Sequence, residues 1–304
     1  MIDRACISLN ARCNLNCEYC HFGQKKNTFN RSENEFKQNE LSEIIQNLIE
    51  YIKANKIEIF KLGIVGAGEP LLNFKDISFL VEQFKSSEVR KNIKLYTITN
   101  GTILTDDMLV YFYENREIID LNFSLDGYKK LHEINRPMFN VTMGNISKYE
   151  SLFGHKPLVN AVVTRETIIN HDEVIDFFTK NHFEKVNFSI IFGVENENLL
   201  VSSIMYKTFI DECHNRGLIM RQKLTNEKRY DCTKYGNLCG VGRTNVFISK
   251  SGIYPCSRFL GNKDYKLSDF YESFFIVEKN LNNYQLPKDG ECYYETEYLG
   301  GKVC

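Results

Sequence analysis

The sequence predicts an α/β protein with parallel strands, arranged as an open sheet or an incomplete barrel, with a smaller C-terminal unit attached. Three observations carry this reading. Six short runs of β-branched and aromatic residues alternate with longer amphipathic stretches. The alternation stops near residue 217, beyond which five of the ten cysteines, several glycines and many tyrosines run to the end. The loop after the first apolar run, CNLNCEYC (13–20), holds three cysteines within eight residues.

The strand-like runs are RACISLN (4–10), IEIFKLGIV (57–65), IKLYTIT (93–99), IIDLNFSL (118–125), LVNAVVT (158–164) and KVNFSII (185–191). Each is too short for a helix and is bounded by polar or turn residues. After the first, Ser32 and Glu35 form a capping-box pattern ahead of the periodic LSEIIQNLIEYI (41–52), which predicts a helix. Amphipathic stretches near 74–87, 105–115, 171–182 and 203–216 predict further helices between the strands. The expected organisation is a parallel α/β unit over residues 1–217 and a cysteine-rich unit over 218–304.

A chain of 304 residues can bury one large core, or one core with an appended module. With 38 Lys and Arg against 39 Asp and Glu, no overall field draws the protein to nucleic acid or an anionic membrane. The start, MIDRACISLNARC, lacks a signal-peptide apolar region, and no window approaches 18 continuous apolar residues, so a cytoplasmic protein is expected. In a reducing compartment ten cysteines serve as metal ligands, catalytic thiols or core residues rather than disulfides.

Structural zinc and ordinary iron–sulfur sites take four protein ligands, so a three-cysteine loop either borrows a distant fourth or leaves one metal position open. The spacing C-x3-C-x2-C favours the open arrangement, with Cys13, Cys17 and Cys20 as ligands and Tyr19 beside the bound molecule. Further along, GAGEP (66–70), TNG (99–101) and SLDG (124–127) follow the second, third and fourth strands, and LHEINRP (131–137) comes next. Together with the cysteine loop, these segments resemble the radical S-adenosylmethionine (SAM) superfamily. The resemblance covers roughly residues 4–217 and implies a partial (β/α)6 TIM-like barrel with a SAM-binding [4Fe-4S] cluster on Cys13, Cys17 and Cys20.

It further implies SAM contacts from Tyr19, Gly66, Gly68, Glu69, Asn100, Ser124 and Asp126, with His132 and Arg136 in a segment whose arginine meets the SAM carboxylate. Ala67 departs from the paired glycines of the family's Gly-Gly-Glu-Pro segment. The implied activity is reductive cleavage of SAM to a 5′-deoxyadenosyl radical that abstracts hydrogen from an unactivated C–H bond. The protein's share of that chemistry is orientation and a dry pocket.

In the C-terminal unit, CGVGRTNVFISKSGIYPC (239–256) resembles the SPASM and twitch extensions of such enzymes, which bind auxiliary iron–sulfur clusters. Of the dense late cysteine group of a full SPASM module, CYYETEYLGGKVC (292–304) supplies the first and last members. The resemblance implies one auxiliary [4Fe-4S] cluster on Cys232, Cys239, Cys256 and Cys304, with Cys292 left as a catalytic thiol or an alternative ligand. Four cysteines in a small module equally suit zinc, and the company of the barrel favours iron. Cys6 and Cys213 read as buried structural thiols, and FYESFF (270–275) as packing for the small module.

Enzymes of this type mostly modify peptides and proteins, which makes a maturase of ribosomally made peptides, crosslinking or epimerising, the leading expectation. With the first strand starting near residue 4, the barrel and small module are expected to grip the peptide themselves, or a separate leader-peptide-binding protein to bring it. An electron donor such as a flavodoxin or ferredoxin is implied. Sugar or cyclitol dehydrogenation is the second expectation. Formylglycine-generating sulfatase maturation is disfavoured, because Ser257 stands where that group carries an aspartate base after the cysteine matching Cys256. A non-catalytic iron–sulfur carrier or zinc module is the third.

Overall fold

The computed structural model describes residues 1–20, 22, 35–191, 196–218 and 240–283. Its strands are β1 (Arg4–Ile7), β2 (Phe60–Ile64), β3 (Ile93–Thr99), β4 (Ile119–Ser124), β5 (Val159–Val163), β6 (Val186–Ile190), β7 (Asn245–Ser249) and β8 (Gly252–Tyr254). Helices α1 (Gln38–Ala54), α2 (Phe74–Lys85) and α3 (Asp106–Glu114) follow the first three strands in turn. Two helices, α4 (Lys129–Asn135) and α5 (Phe139–Phe153), follow β4; α6 (Arg165–Ile169) and α7 (His171–Lys180) follow β5. Beyond β6 comes α8 (Ser203–Asn215), and α9 (Phe274–Leu281) ends the described chain. One sheet holds all eight strands in the order β6-β5-β4-β3-β2-β1-β7-β8, and every pair but β7–β8 is parallel. The first six strands with their helices form the partial barrel, as expected. No described helix is long and apolar enough to cross a membrane.

Alternation along the strands sorts their side chains. On β3, Ile93, Leu95, Thr97 and Thr99 are buried while Lys94, Tyr96 and Ile98 face the other way. The same division puts Asn122 and Ser124 of β4, Asn160 and Val162 of β5, and Asn187 and Ser189 of β6 on one side, the concave lumen. The opposite, apolar face packs on helices such as α1, whose Leu41, Ile44, Ile45, Leu48, Tyr51 and Ile52 repeat at helical spacing.

The structure differs from the sequence expectation at three places. Helix α1 begins at Gln38, where Glu40 accepts the Lys37 amide at 2.8 Å; Glu35 instead pairs with Arg12 at 2.6 Å, and Ser32 lies outside the described residues. Strand β1 ends at Ile7, because Ser8 and Asn10 turn their side chains to the loop after β2. The aromatics of 270–275 pack across to the barrel: Phe274 and Phe275 lie 5.8 and 5.2 Å from the Tyr51 ring of α1, and Phe270 lies 5.4 Å from Phe36. Tyr51 Oη also accepts the Ile2 amide at 2.8 Å and donates to Glu278 at 2.9 Å. Strand β7 joins the edge of β1, pairing Ala5 with Val246, so the described C-terminal segment shares the barrel's sheet.

Candidate active site at the C-terminal ends of the strands

A cavity of about 350 Å³ lies across the C-terminal ends of the barrel strands. The cysteine loop after β1 forms one wall and the 65–70 segment after β2 another, while Ile98, Asn100, Ser124, Val162, Ser189 and Ile190 close it from β3 to β6. Catalytic groups of α/β barrels collect at this end because the βα loops there vary without disturbing the core.

The cysteine loop is held by hydrogen bonds before any metal is considered. Ser8 Oγ donates to the Asn10 carbonyl and accepts the Ala67 amide at 3.0 Å. The Asn10 side chain accepts the Arg12 amide at 2.7 Å and donates to Asn73 at 2.8 Å; the Glu69 amide donates to the Arg12 carbonyl at 2.7 Å. This stitching explains the glycines. A Cβ on Gly66 would overlap Ser8, and one on Gly68 would overlap Asn10 Oδ1 and the Arg12 carbonyl, whereas Ala67 borders the open cavity and a methyl fits there. The departure from paired glycines therefore falls at the tolerant position.

Cys13, Cys17 and Cys20 all line the cavity. The Leu15 amide points at Cys13 Sγ (3.5 Å), and the Cys20 amide donates to the Cys17 carbonyl at 3.1 Å. Burial pushes the Cys17 thiol up to about 11 and raises Cys13 too, so both are neutral thiols until a cation stabilises the thiolates. A trio of sulfurs on one loop beside an open cavity fits a [4Fe-4S] cluster with one iron left to an external ligand.

Glu69 is buried, and its carboxylate accepts from Thr99 Oγ1 (2.6 Å), the Asn100 amide (2.8 Å) and the Leu71 amide (3.2 Å). Burial raises its pKa, while those donors and Arg136 pull the other way. Asn100 acts as a brace: its amide donates to Asn14 Oδ1 on the cysteine loop at 2.9 Å, and its oxygen accepts from Thr102. Gly101 turns the chain there with φ +75°, under Phe123.

Asp126 does not line the cavity. It is wholly enclosed, accepting Tyr19 Oη at 2.6 Å and the Val162 amide at 3.0 Å, with Arg136 Nε 3.7 Å away. Arg136 also donates to Tyr19 Oη at 2.8 and 3.2 Å. Burial holds the Tyr19 hydroxyl far above its ordinary pKa, keeping it a donor to Asp126. Asp126 thus reaches the cavity through Tyr19 and Arg136, which do line it. His132 is enclosed behind this group, its Nδ1 accepting the Asp126 amide at 3.2 Å.

Cys256 is half-buried among Phe247, Tyr254 and Phe259, in an apolar cluster that also meets Cys6, Phe22 and Ala67. Cys6 is itself half-buried, with Sγ 3.6 Å from Tyr96 Oη, and Cys213 is fully buried in α8. Cys232, Cys239, Cys292 and Cys304 lie outside the described residues. Reading the sequence missed Asn14, Thr99 and Val162, whose roles come from neighbours distant in the chain, and Arg258, which lines the cavity two residues after Cys256.

A cysteine-type anaerobic sulfatase-maturating enzyme of Clostridium novyi is 30% identical over 189 residues, which is 59% of this chain and 48% of that protein. A structure of anSMEcpe with bound AdoMet superposes with a TM-score of 0.71 at 17% identity, covering 96% of this chain and 83% of that one. Streptococcus suis SuiB bound to precursor peptide SuiA gives 0.66 at 18%, covering 91% and 64%. The chain spans 29% to 64% of the length of eight curated relatives it matches. The model of the Radical SAM superfamily matches residues 7–199, the stretch that carries the cysteine loop, Glu69 and the Tyr19–Asp126–Arg136 group. The chain belongs to the radical SAM superfamily, whose members use SAM and a [4Fe-4S] cluster.

Proposed function

We propose that the enzyme abstracts hydrogen from a ribosomally made peptide and so crosslinks or epimerises it. The observation that carries this reading is the lumen beneath the cavity. Asn122, Asn160 and Asn187 stand on three neighbouring strands with the Asn187 amide donating to Asn160 Oδ1 at 3.1 Å, and the buried Asn160 Nδ2 has no hydrogen-bond partner among the described residues. Carboxamides both donate and accept, matching the amide groups of a peptide backbone. The maturase name of the Clostridium novyi relative and the precursor peptide bound to SuiB support the same substrate class.

When bound, the reduced cluster and SAM supply the 5′-deoxyadenosyl radical that abstracts hydrogen. The chain's own residues orient and enclose. Cys13, Cys17 and Cys20 hold the cluster, Glu69 and the glycine-lined segment receive the amino end of SAM, and Arg136, steadied by Asp126 and Tyr19, receives its carboxylate. Ile98, Val162, Ile190 and Ile191 exclude water from the reacting end. In this reading residues 218–304 are a SPASM/twitch-like module whose cluster rests on Cys232, Cys239, Cys256 and Cys304, with Cys292 a catalytic thiol. A flavodoxin or ferredoxin supplies the electron, and a separate protein presents the leader peptide. Sulfatase maturation, favoured by the Clostridium novyi relative, would need a base other than Ser257.

The test is anaerobic. Reconstituted, reduced protein is given SAM and a short peptide encoded beside the gene; 5′-deoxyadenosine and peptide mass are followed next to a Cys17→Ala control. The expected result is 5′-deoxyadenosine from the wild type alone, with a peptide shifted in mass or stereochemistry. Turnover on sugars or cyclitols with the peptide untouched would replace the proposal with the dehydrogenase reading.

A further inference from the structure

We infer that Asn14 is a positioning residue for the cluster: a closed ring of side-chain hydrogen bonds through Asn14 holds the cysteine loop so that the Leu15 amide stays on Cys13 Sγ, which raises the cluster's reduction potential. The inference rests on the assignment of the cluster to Cys13, Cys17 and Cys20, and not on the peptide reading. Cys13 and Leu15 line the cavity; Asn14, between them, does not, and its side chain reaches the turn after β3 instead.

Three side chains close the ring. Asn14 Nδ2 donates to Thr102 Oγ1 at 2.7 Å, Thr102 Oγ1 donates to Asn100 Oδ1 at 2.7 Å, and Asn100 Nδ2 donates to Asn14 Oδ1 at 2.9 Å. One backbone group fixes its sense. The Thr102 amide can only donate, so the Asn100 atom 2.9 Å from it is the carbonyl oxygen; Nδ2 then faces Asn14, whose oxygen accepts and whose amide is left for the Thr102 hydroxyl. All three bonds run the same way round, the arrangement in which each strengthens the next. The far side of the ring is anchored. Asn100 is 3% exposed, its amide donates to Glu69 Oε2 at 2.8 Å, and α5 holds the turn through Thr142 on the Asn100 carbonyl at 2.9 Å and Asn145 on the Gly101 carbonyl at 2.7 Å.

The near side is the cysteine loop itself. The peptide group after Asn14 carries the Leu15 amide, 3.5 Å from Cys13 Sγ. Hydrogen bonds to the sulfurs are one means by which a protein sets a cluster's potential, and a donor there favours the reduced form, which holds one more electron. Clasping the Asn14 side chain to a fixed turn keeps that donor in place.

The test is the potential. Reconstituted wild type, Asn14→Ala, Thr102→Val, Thr102→Ser, the double variant Asn14→Ala with Thr102→Val, and Tyr51→Phe are poised without oxygen at the wild-type midpoint. The paramagnetic signal that SAM alters is read by EPR, and circular dichroism and iron content verify each preparation. The oxidised-to-reduced ratio rises about fivefold in Asn14→Ala, the size of one neutral hydrogen bond. It rises less in Thr102→Val, where Asn100 Nδ2 still donates to Asn14, and Thr102→Ser, which keeps the hydroxyl, matches the wild type. The double variant matches Asn14→Ala, since Thr102 acts through Asn14. Tyr51→Phe, which weakens the fold at α1, keeps the wild-type ratio. If Asn14→Ala holds no iron, the Thr102→Val and Thr102→Ser pair decides alone. An unchanged ratio in Asn14→Ala overturns the inference, as does a Thr102→Ser shift as large as that of Thr102→Val, or a Tyr51→Phe shift as large as that of Asn14→Ala. A wild type with no signal that responds to SAM removes the cluster assignment and this inference together; a wild-type signal that no variant shifts removes this inference alone.

Discussion

Replacing Asp126 with Asn removes the one negative charge on which Tyr19 and Arg136 both converge. Asn keeps an oxygen for the Val162 amide, now 3.0 Å from Asp126 Oδ1, but turns an amide toward the Tyr19 hydroxyl and leaves the guanidinium of Arg136, 13% exposed, without its counter-charge. Breaking a buried ion pair from one side costs about 3–5 kcal/mol. The low end applies, because Tyr19 Oη still accepts from Arg136 at 2.8 and 3.2 Å. With an unfolding entropy of about 2.1 cal/mol/K per residue, a loss of about 3 kcal/mol lowers the Tm of this 304-residue chain by roughly 5 °C. The assay is thermal unfolding of cluster-loaded protein without SAM, for Asp126→Asn, Arg136→Met and the double variant. Much of the single-variant loss is the cost of a stranded charge, so the double variant is more stable than the sum of the singles predicts, by about 1 kcal/mol or more. Strict additivity, or an Asp126→Asn protein melting with the wild type, would refute the reasoning.

His132 gives the fold a pH dependence. Burial pulls its pKa down to about 4, against about 6.5 in an unfolded chain, so below pH 6.5 the unfolded state takes up the proton first. This contribution is complete above pH about 6.5 and is lost as pH falls toward 4, by about 3 kcal/mol. His132→Asn, which keeps an acceptor for the Asp126 amide, flattens that slope in urea titrations; parallel wild-type and variant slopes would count against it. Gly68→Ala pushes Asn10 and the Arg12 carbonyl away from the loop that ends in Cys13, so reconstituted protein holds less iron and binds SAM at least about tenfold more weakly, read from iron content and calorimetry. Tyr51→Phe strands the Ile2 amide and costs about 1–3 kcal/mol in denaturant unfolding, without changing iron content.

The six barrel strands were legible because each has one apolar face against helices and a short bounded length. Helix α5 was not. Its buried face includes Thr142 and Asn145, which hydrogen-bond the carbonyls of Asn100 and Gly101 at 2.9 and 2.7 Å, so the apolar stripe that marks a helix is interrupted by residues serving the loop beside it. The cysteine loop and Glu69 could be read from local spacing. Asn14, whose partners Asn100 and Thr102 lie 86 and 88 residues away, could not, since nothing local marks a side chain that works across the barrel mouth. Asp126 was legible as a site residue but not as an enclosed one: its task of steadying Tyr19 and Arg136 follows from tertiary packing alone.

The pairing of β7 with β1 also governs how the protein is made. Arg4 and Asn245 are partners in that ladder, so on the ribosome one edge of β1 waits for 241 further residues, 245 less 4, before its neighbour emerges. At about 5–20 residues per second, that is roughly ten to fifty seconds with an unpaired strand edge beside the cysteine loop. Such an edge invites pairing with other chains. Yield on expression therefore depends on β7 arriving and docking, and truncation before β7 exposes the strand from which the cysteine loop departs.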